Sequence, residues 1–354
     1  MQAATAVWIG IDVAKASVDA AVHLEHSAAP AATFSRTQKG VGQLLAWARE
    51  HVPADAPLRA LMEATGRYSL EVIAWLLAAE ASLAPACVNP LQAKRFAQSL
   101  GTRNKTDRVD ARVLARMGAE RKPAAYQPPT PARAALRDLV RERRALVDER
   151  TALNNRIGEG TDSAIVRRER DRLLGNLKRA IQRMDKAIAE AVAADAQLRR
   201  DVARLCTIPG VGMVTAVTVL AELGDLRRFS SSRQVTAFAG VSPHQHMSGT
   251  SVRGRTRMSK QGNPAVRSVL YTSSMTASRV PGPMQQTYQR LVDAGKAPSA
   301  ALGAVMRKQL VLMRALLVTE TDYEERGKKP GKQPGEKNRR KAGEKPSLPE
   351  AENP

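Results

Sequence analysis

Asp107 and Asp110 stand three residues apart in NKTDRVDARVLARMG (104–118), at the start of a segment that reads as a helix. Neighbours at i and i+3 share a helix face, where two like charges repel by roughly 0.2–0.5 kcal/mol. Two more carboxylates sit on segments that read as strands: Asp12 in AVWIGIDV, and Glu63 in LRALMEAT. Alternation in the first strand sends Val7, Ile9 and Ile11 to one face and Trp8, Gly10 and Asp12 to the other. Carboxylates from two strands and a helix can converge at one rim of a mixed sheet. An all-oxygen set of this kind suits a hard divalent cation, Mg²⁺ or alternatively Mn²⁺. A pair of such ions supports in-line phosphoryl transfer. Without a cation, four clustered carboxylates repel one another strongly. A local explanation stands beside this one. Asp107 can cap a helix beginning near Arg108, and Asp110 can be a first-turn residue favoured by the helix dipole.

The second chemical candidate is the glycine-bearing stretch HQHMSGTSVRGRTRMSKQGN (244–263). It carries Arg253, Arg255, Arg257 and Lys260, with Arg267 in the helix that follows, and such a basic cluster suits phosphate. A serine hydroxyl attacks poorly unless a base or positive surroundings activate it. Ser248, just before Gly249, can attack a phosphodiester while the arginines neutralise the developing charge. A Ser–Gly pair is also ordinary loop chemistry, and Ser251 and Ser242 are rivals. His244 and His246 lack a third ligand in any metal pattern and read as loop residues. Gly210 and Gly212 in IPGVG form a tight turn before a helix, which looks like a helix–hairpin–helix unit whose backbone N–H groups approach phosphate. A plain turn explains the same residues. Lys105, Arg108 and Asn263 complete the candidate nucleic-acid contacts.

The elements that must position these residues follow from pattern and charge. Lys and Arg number 56 against 34 Asp and Glu, a formal net charge of +22, which points to a polyanionic partner, most simply nucleic acid. Aromatics are only 3%, which argues against base-stacking platforms and for phosphate contacts sensitive to salt. Residues 1–125 read as strands followed by alternating helices and strands, a mixed α/β layer fold. The proline-rich YQPPTPAR (126–133) punctuates the chain. Long helical stretches follow to about 204, broken at GEGTD (158–162). Leu136, Leu139, Leu146, Leu153 and Ile157 have a heptad-like spacing interrupted by Arg143 and Arg150, which fits a helical hairpin or a dimerising coiled coil. A mainly helical segment covers 205–325, and 326–354 lacks apolar residues and reads as a disordered basic tail. Cys87 and Cys206 lie among apolar residues with no metal-ligand spacing, and read as buried thiols suited to a reducing cytoplasm. No signal peptide and no membrane span are expected.

Taken in order, WIGIDVAKASVDAAV, MEATGRYS, NKTDRVDARVLA, IPGVGMVTAVTVLAELGD, FAGVSP and SGTSVRGRTRMSKQGNPAVRSVL resemble the insertion-sequence-110 family, the DEDD transposases. The resemblance spans about 6–118 and 205–279. It implies a ribonuclease H-like (RuvC-like) N-terminal domain whose Mg²⁺-binding carboxylates map onto Asp12, Glu63, Asp107 and Asp110. It implies a nucleophilic serine at Ser248, upstream of a Lys-x-Gly-Asn element that matches Lys260, Gly262 and Asn263. His246 and Met247 depart from the small polar residues expected before that serine. The implied activity is site-specific DNA recombination of the element through a composite active site and a transient phosphoserine link. The implied partners are DNA at the element ends and target, a structured non-coding RNA encoded by the element, and further copies of the chain as a dimer or tetramer joined through the helical segment. Two alternatives remain open at this point. One is a RuvC-like nuclease that uses water as nucleophile. The other is an element protein that binds nucleic acid without catalysis.

Overall fold

A computed structural model describes residues 6–24, 29–101, 106–161, 163–244 and 256–324, and the backbone of 247–248 and 252–253. The chain divides into two compact units, Met1–Pro128 and Pro129–Pro354.

The first unit is a mixed α/β layer structure. Its elements are β1 (Val7–Val13), β2 (Ser17–Val22), β3 (Ala31–Ser35), α1 (Gln38–Glu50), β4 (Leu58–Glu63), α2 (Arg67–Ala79), β5 (Ala86–Val88), α3 (Pro90–Ser99) and α4 (Asp107–Arg121). The five strands lie in the order β3-β2-β1-β4-β5. β1, β2 and β3 pair antiparallel, and β4 and β5 continue parallel to β1. A short turn suffices for the β1–β2 hairpin, whereas the parallel β1–β4 pair requires a crossover that includes α1. The alternation of β1 is realised on both faces. Ile9, Ile11 and Val13 pack with Val41, Leu44 and Leu45 of α1 and with Val72, Ile73 and Leu76 of α2. On the other face, Trp8 packs with Phe96 of α3 and with Val113, Leu114 and Met117 of α4.

Two glycines let α4 lie directly on β1. A Cβ at Gly10 would fall on the backbone of Ala111 and Ala115, and a Cβ at Gly118 would fall on the Trp8 indole. The start of β1 therefore meets the end of α4, so helix and strand run in opposite directions. The first turn of α4 is thereby carried to the Asp12 end of β1.

The second unit contains α5 (Pro131–Gly158), α6 (Ala164–Ala194), α7 (Ala196–Cys206), α8 (Met213–Leu223), α9 (Ser232–Phe238), α10 (Pro264–Ala277), α11 (Pro283–Asp293) and α12 (Pro298–Thr319). Between α9 and α10 lie four two-residue strands, β6 (Pro243–His244), β7 (Met247–Ser248), β8 (Val252–Arg253) and β9 (Arg257–Met258). α5 and α6 form a hairpin whose base joins the core through Leu136, Val140, Ile188 and Val192. Arg143, which breaks the heptad pattern, does not break the packing, because it reaches across to Asp185 of α6 at 2.5 Å. Toward the tip, Ile165, Val166 and Leu173 are exposed. Within the core, the fully buried Asp201 is met by Arg227 at 2.7 Å and Arg133 at 3.4 Å. Burial without those partners would cost several kcal/mol, on the order of a lost buried ion pair.

The expectation of two buried thiols is met only in part, since Cys87 is half-buried and Cys206 is exposed. Burial pushes the half-buried Cys87 thiol up to about 11. Cys206 is exposed, because the buried stripe of α7 runs through Leu198, Val202 and Leu205 and leaves position 206 on the next face. The tail from 325 lies outside the described residues.

Candidate active site

Three adjacent strands bring a row of carboxylates to one face. Asp12 of β1 is paired with Asp19 of β2. Ile11 is paired with Met62 in the parallel β1–β4 ladder, so Asp12 and Glu63 are the next neighbours across it. Residues level with one another in a ladder point to the same side. Asp19, Asp12 and Glu63 therefore share the face covered by α4. Asp107 and Asp110 both lie in the first turn of that helix. The capping explanation of Asp107 does not apply, because Thr106 is the N-cap and its hydroxyl accepts from Val109 N. Asp107 is exposed and Asp110 half-buried.

Asp12 senses its neighbours. Asp12 is held above the ordinary carboxylate range, first by burial, then by the charges of Asp107 and Asp110 and more weakly by Asp19. A hydrogen bond involving the Val13 backbone opposes the shift. Asp19, only 5% exposed, accepts a hydrogen bond from the Thr33 hydroxyl at 2.6 Å. The sequence reading missed Asp19, although SVDAAV places one acidic residue in an otherwise small and apolar strand. Pairing that strand with AVWIGIDV across the short Ala14–Ala16 turn puts it opposite Asp12.

The donor set suits a hard cation, being all oxygen, and the mutual repulsion at Asp12 is what a bound cation relieves. Among the described residues, no three His, Cys, Asp or Glu side chains stand close enough to hold a metal as they lie. Closing on an ion requires these side chains to turn toward one another, which carboxylates at a strand end and in a first helical turn can do by rotamer change.

The serine-bearing segment rises from a short two-stranded stem. Pro243 pairs with Met258 and His244 with Arg257, and beyond them Met247 pairs with Arg253 and Ser248 with Val252. The stem is seated where Gly240 and Gly262 cross. A Cβ on Gly262 would fall on the backbone of Phe238, Ala239 and Gly240. Lys260 adopts a left-handed φ of 54° and donates its N–H to the Gly240 carbonyl at 3.2 Å. Such a conformation costs a β-carbon-bearing residue on the order of 1 kcal/mol and persists where the surroundings hold it.

The other expected contacts divide into engaged, exposed and undescribed groups. Asn263 caps α10, accepting from Ala265 N at 2.8 Å, and donates to Glu222 at 2.6 Å. Glu222 in turn receives two bonds from Arg141 at 2.8 and 2.9 Å. Burial pushes Glu222 up, but these donors outweigh it and hold the carboxyl below its ordinary range. Arg267 donates to the Gly262 carbonyl at 2.8 Å, and burial lowers its pKa. Gly210 is explained by packing, since a Cβ there would fall on Ser273 and Ala277 of α10, while the space beside Gly212 is open. Ser242 is engaged with Thr236 at 3.1 Å. Arg108, Arg257 and Lys260 are exposed. Lys105, His246, Ser251 and Arg255, and the side chains of Ser248 and Arg253, lie outside the described residues.

Both halves of the chain match known transposase families. Residues 9–160 match the DEDD transposase model of the IS110 group, and residues 202–289 match the model described as transposase IS116/IS110/IS902 family. The pilin gene-inverting protein of Moraxella bovis is 30% identical over 325 residues, covering 90% of this chain and 98% of that protein. The corresponding protein of Moraxella lacunata matches over the same extent. The transposase for insertion sequence element IS1111A of Coxiella burnetii is 30% identical over 210 residues, covering 52% of this chain and 56% of that one. The chain belongs to the IS110 family of transposases and is a DNA transposase or recombinase.

Proposed function

We propose that this transposase recombines DNA through a serine–phosphate intermediate at Ser248, with the Asp12, Glu63, Asp107 and Asp110 carboxylates acting on the same phosphodiester. The observation that supports this best is the register of α4 on β1, which carries Asp107 and Asp110 of the first turn to the Asp12 end of the strand, where burial first and their charges second raise the Asp12 pKa. The strand order and directions fit a ribonuclease H-like domain over 1–125, with the helical segment 126–204 and the mainly helical segment 205–325 as further functional divisions.

Asp12, Glu63, Asp107 and Asp110 would hold Mg²⁺ or Mn²⁺, which when bound offsets negative charge on the scissile phosphate. Ser248 supplies the nucleophile. Its Oγ–phosphorus bond forms as one phosphorus–oxygen bond to a sugar breaks, the serine proton passes to a base, and the departing sugar oxygen gains a proton. A sugar hydroxyl of the second DNA then attacks the phosphoserine, joins the strands and restores the serine. Arg253, Arg255, Arg257 and Lys260 stabilise the charge that develops on the phosphate. Lys105, Arg108 and Arg267 contribute phosphate contacts, as does the helix–hairpin–helix-like turn, through its open side at Gly212 while Gly210 lets the turn pack on α10.

The exposed Ile165, Val166 and Leu173 support an α5–α6 coiled-coil contact between copies, as a dimer or tetramer. A net charge of +22 fits a structured RNA bound through its phosphates, with sequence choice left to base pairing. Among the described residues no helix is long and apolar enough to cross a membrane, and a place with the nucleoid in the bacterial cytoplasm follows from the DNA substrate.

A recombination assay with Mg²⁺, a donor carrying the element's flanks and a target tests the scheme. Wild type should recombine and leave a denaturant-resistant protein–DNA adduct, and Ser248→Ala and Asp107→Asn should each lose both. Continued cutting by Ser248→Ala with no adduct would instead make water the nucleophile.

A further inference from the structure

Among the twelve aromatic side chains, only Phe238 and Tyr271 are exposed, Phe238 by 51% and Tyr271 by 44%. Phe238 is the last residue of α9, whose buried residues are Val235 and Thr236, so its ring is not needed to seat that helix. The ring nevertheless rests on firm support. Phe229 lies beneath it with centroids 5.4 Å apart, is itself 4% exposed, and has its carbonyl pinned by two bonds from Arg314. The Arg228 guanidinium lies 4.8 Å from the Phe229 centroid and 5.3 Å from that of Phe238. The backbone of Phe238 abuts Gly262 at the seat of the stem that carries Ser248. Basic residues are exposed on that stem at Arg257 and Lys260.

We infer that the open side of Phe238 receives an unpaired base of the DNA strand undergoing exchange. Where exchange passes a strand from one duplex to another, bases beside the cut phosphate lose their pairing, and an unpaired base exposes an apolar face to water. The 3% aromatic content argues against an extended stacking platform, whereas a single exposed ring on a rigid base takes one such face regardless of base identity. The neighbouring arginine favours the stack through its attraction to the π faces. Stepwise, phosphate contacts by the stem bring the strand to the loop, and the ring then holds one base out of the helix. The inference rests on the DNA recombinase reading, and on the loop at Ser248 being the place where the strand is engaged.

The test uses the full chain with donor-end oligonucleotides carrying 2-aminopurine at successive positions, single-stranded or with a short unpaired gap. Wild type should quench the probe at one position near the exchanged phosphate. Phe238→Leu keeps apolar contact with Phe229 and should lose that quenching and bind the gapped DNA about ten-fold more weakly. Phe238→Trp should keep both. Ser248→Ala should retain the quenching while losing the covalent adduct, so loss of the serine mechanism and loss of the base contact are read separately. Wild-type quenching and affinity in Phe238→Leu would overturn the inference. Equal loss in Phe238→Leu and Phe238→Trp would also overturn it, because the ring would then be covered by the chain's own loop. Quenching seen only with probe placed in RNA would do the same.

Discussion

Asp12 sits under two opposing demands. A cation site needs it ionised, yet its burial and the nearby Asp107 and Asp110 charges raise its pKa above 3.8. The folded chain then holds a proton that the unfolded chain has released, so this group's contribution to stability falls as pH rises from near the unfolded value through the raised folded one. The penalty is complete once the pH is above the raised folded value. Asp12→Asn removes it, so in chelator the variant should melt a few degrees above wild type and show a flatter pH dependence through the acid range. Divalent cations should stabilise wild type and not the variant, and recombination should be lost. Scanning calorimetry with and without Mn²⁺ checks the first two statements. A variant that melts below wild type in chelator at pH 7 would refute the account of Asp12. Asp12, Glu63, Asp107 and Asp110 were all readable as candidates from residue type and pattern. Asp19 was not, because only strand pairing reveals which residue faces Asp12.

At the scale of elements, the close approach of α4 to β1 is what brings Asp107 and Asp110 near Asp12. Gly10→Ala should push α4 off β1, costing about 1–3 kcal/mol by overpacking and at least ten-fold in recombination, measured by urea titration and the strand-exchange assay. Partial retention of stability with full loss of activity would mean that the helix has shifted rather than unfolded. In the second unit, Asp201 ties α5 to the turn after α8 through Arg133 and Arg227. Asp201→Ala removes the buried carboxylate that half-buried Arg133 and Arg227 share, while Arg227 keeps Asp225 at 3.2 Å, and should cost about 1–3 kcal/mol in equilibrium unfolding. A loss under 1 kcal/mol would show that water reaches the arginines. Most helices and strands were legible from periodicity and punctuation, among them β1, β4, α3 and the break between α5 and α6. The four two-residue strands around Ser248 were not, because a glycine- and arginine-rich segment has no alternation to read.

At the scale of the whole molecule, charge dominates encounter with DNA. With a formal net charge of +22, binding to the element's flanks should weaken by about 10³–10⁵-fold between roughly 50 and 200 mM salt if six to ten phosphates are neutralised. Fluorescence anisotropy over that range gives the slope, and Arg257→Ala with Lys260→Ala should reduce it by about two contacts. A slope unchanged by the pair would remove the stem from the phosphate interface. The sequence by itself determined the charge, the candidate carboxylates and the order of motifs that marks the family, because composition and local spacing are properties of the linear chain. The tertiary structure decided which of those residues meet. Gly10 and Gly118 let α4 lie against β1, strand register sets Asp19 and Glu63 beside Asp12, and Phe229 props Phe238 outward. The α4–β1 and β1–β4 contacts join residues far apart along the chain, and even the nearer pairs, Asp12 with Asp19 and Phe229 with Phe238, meet only once their elements pack, which residue type and spacing alone do not encode.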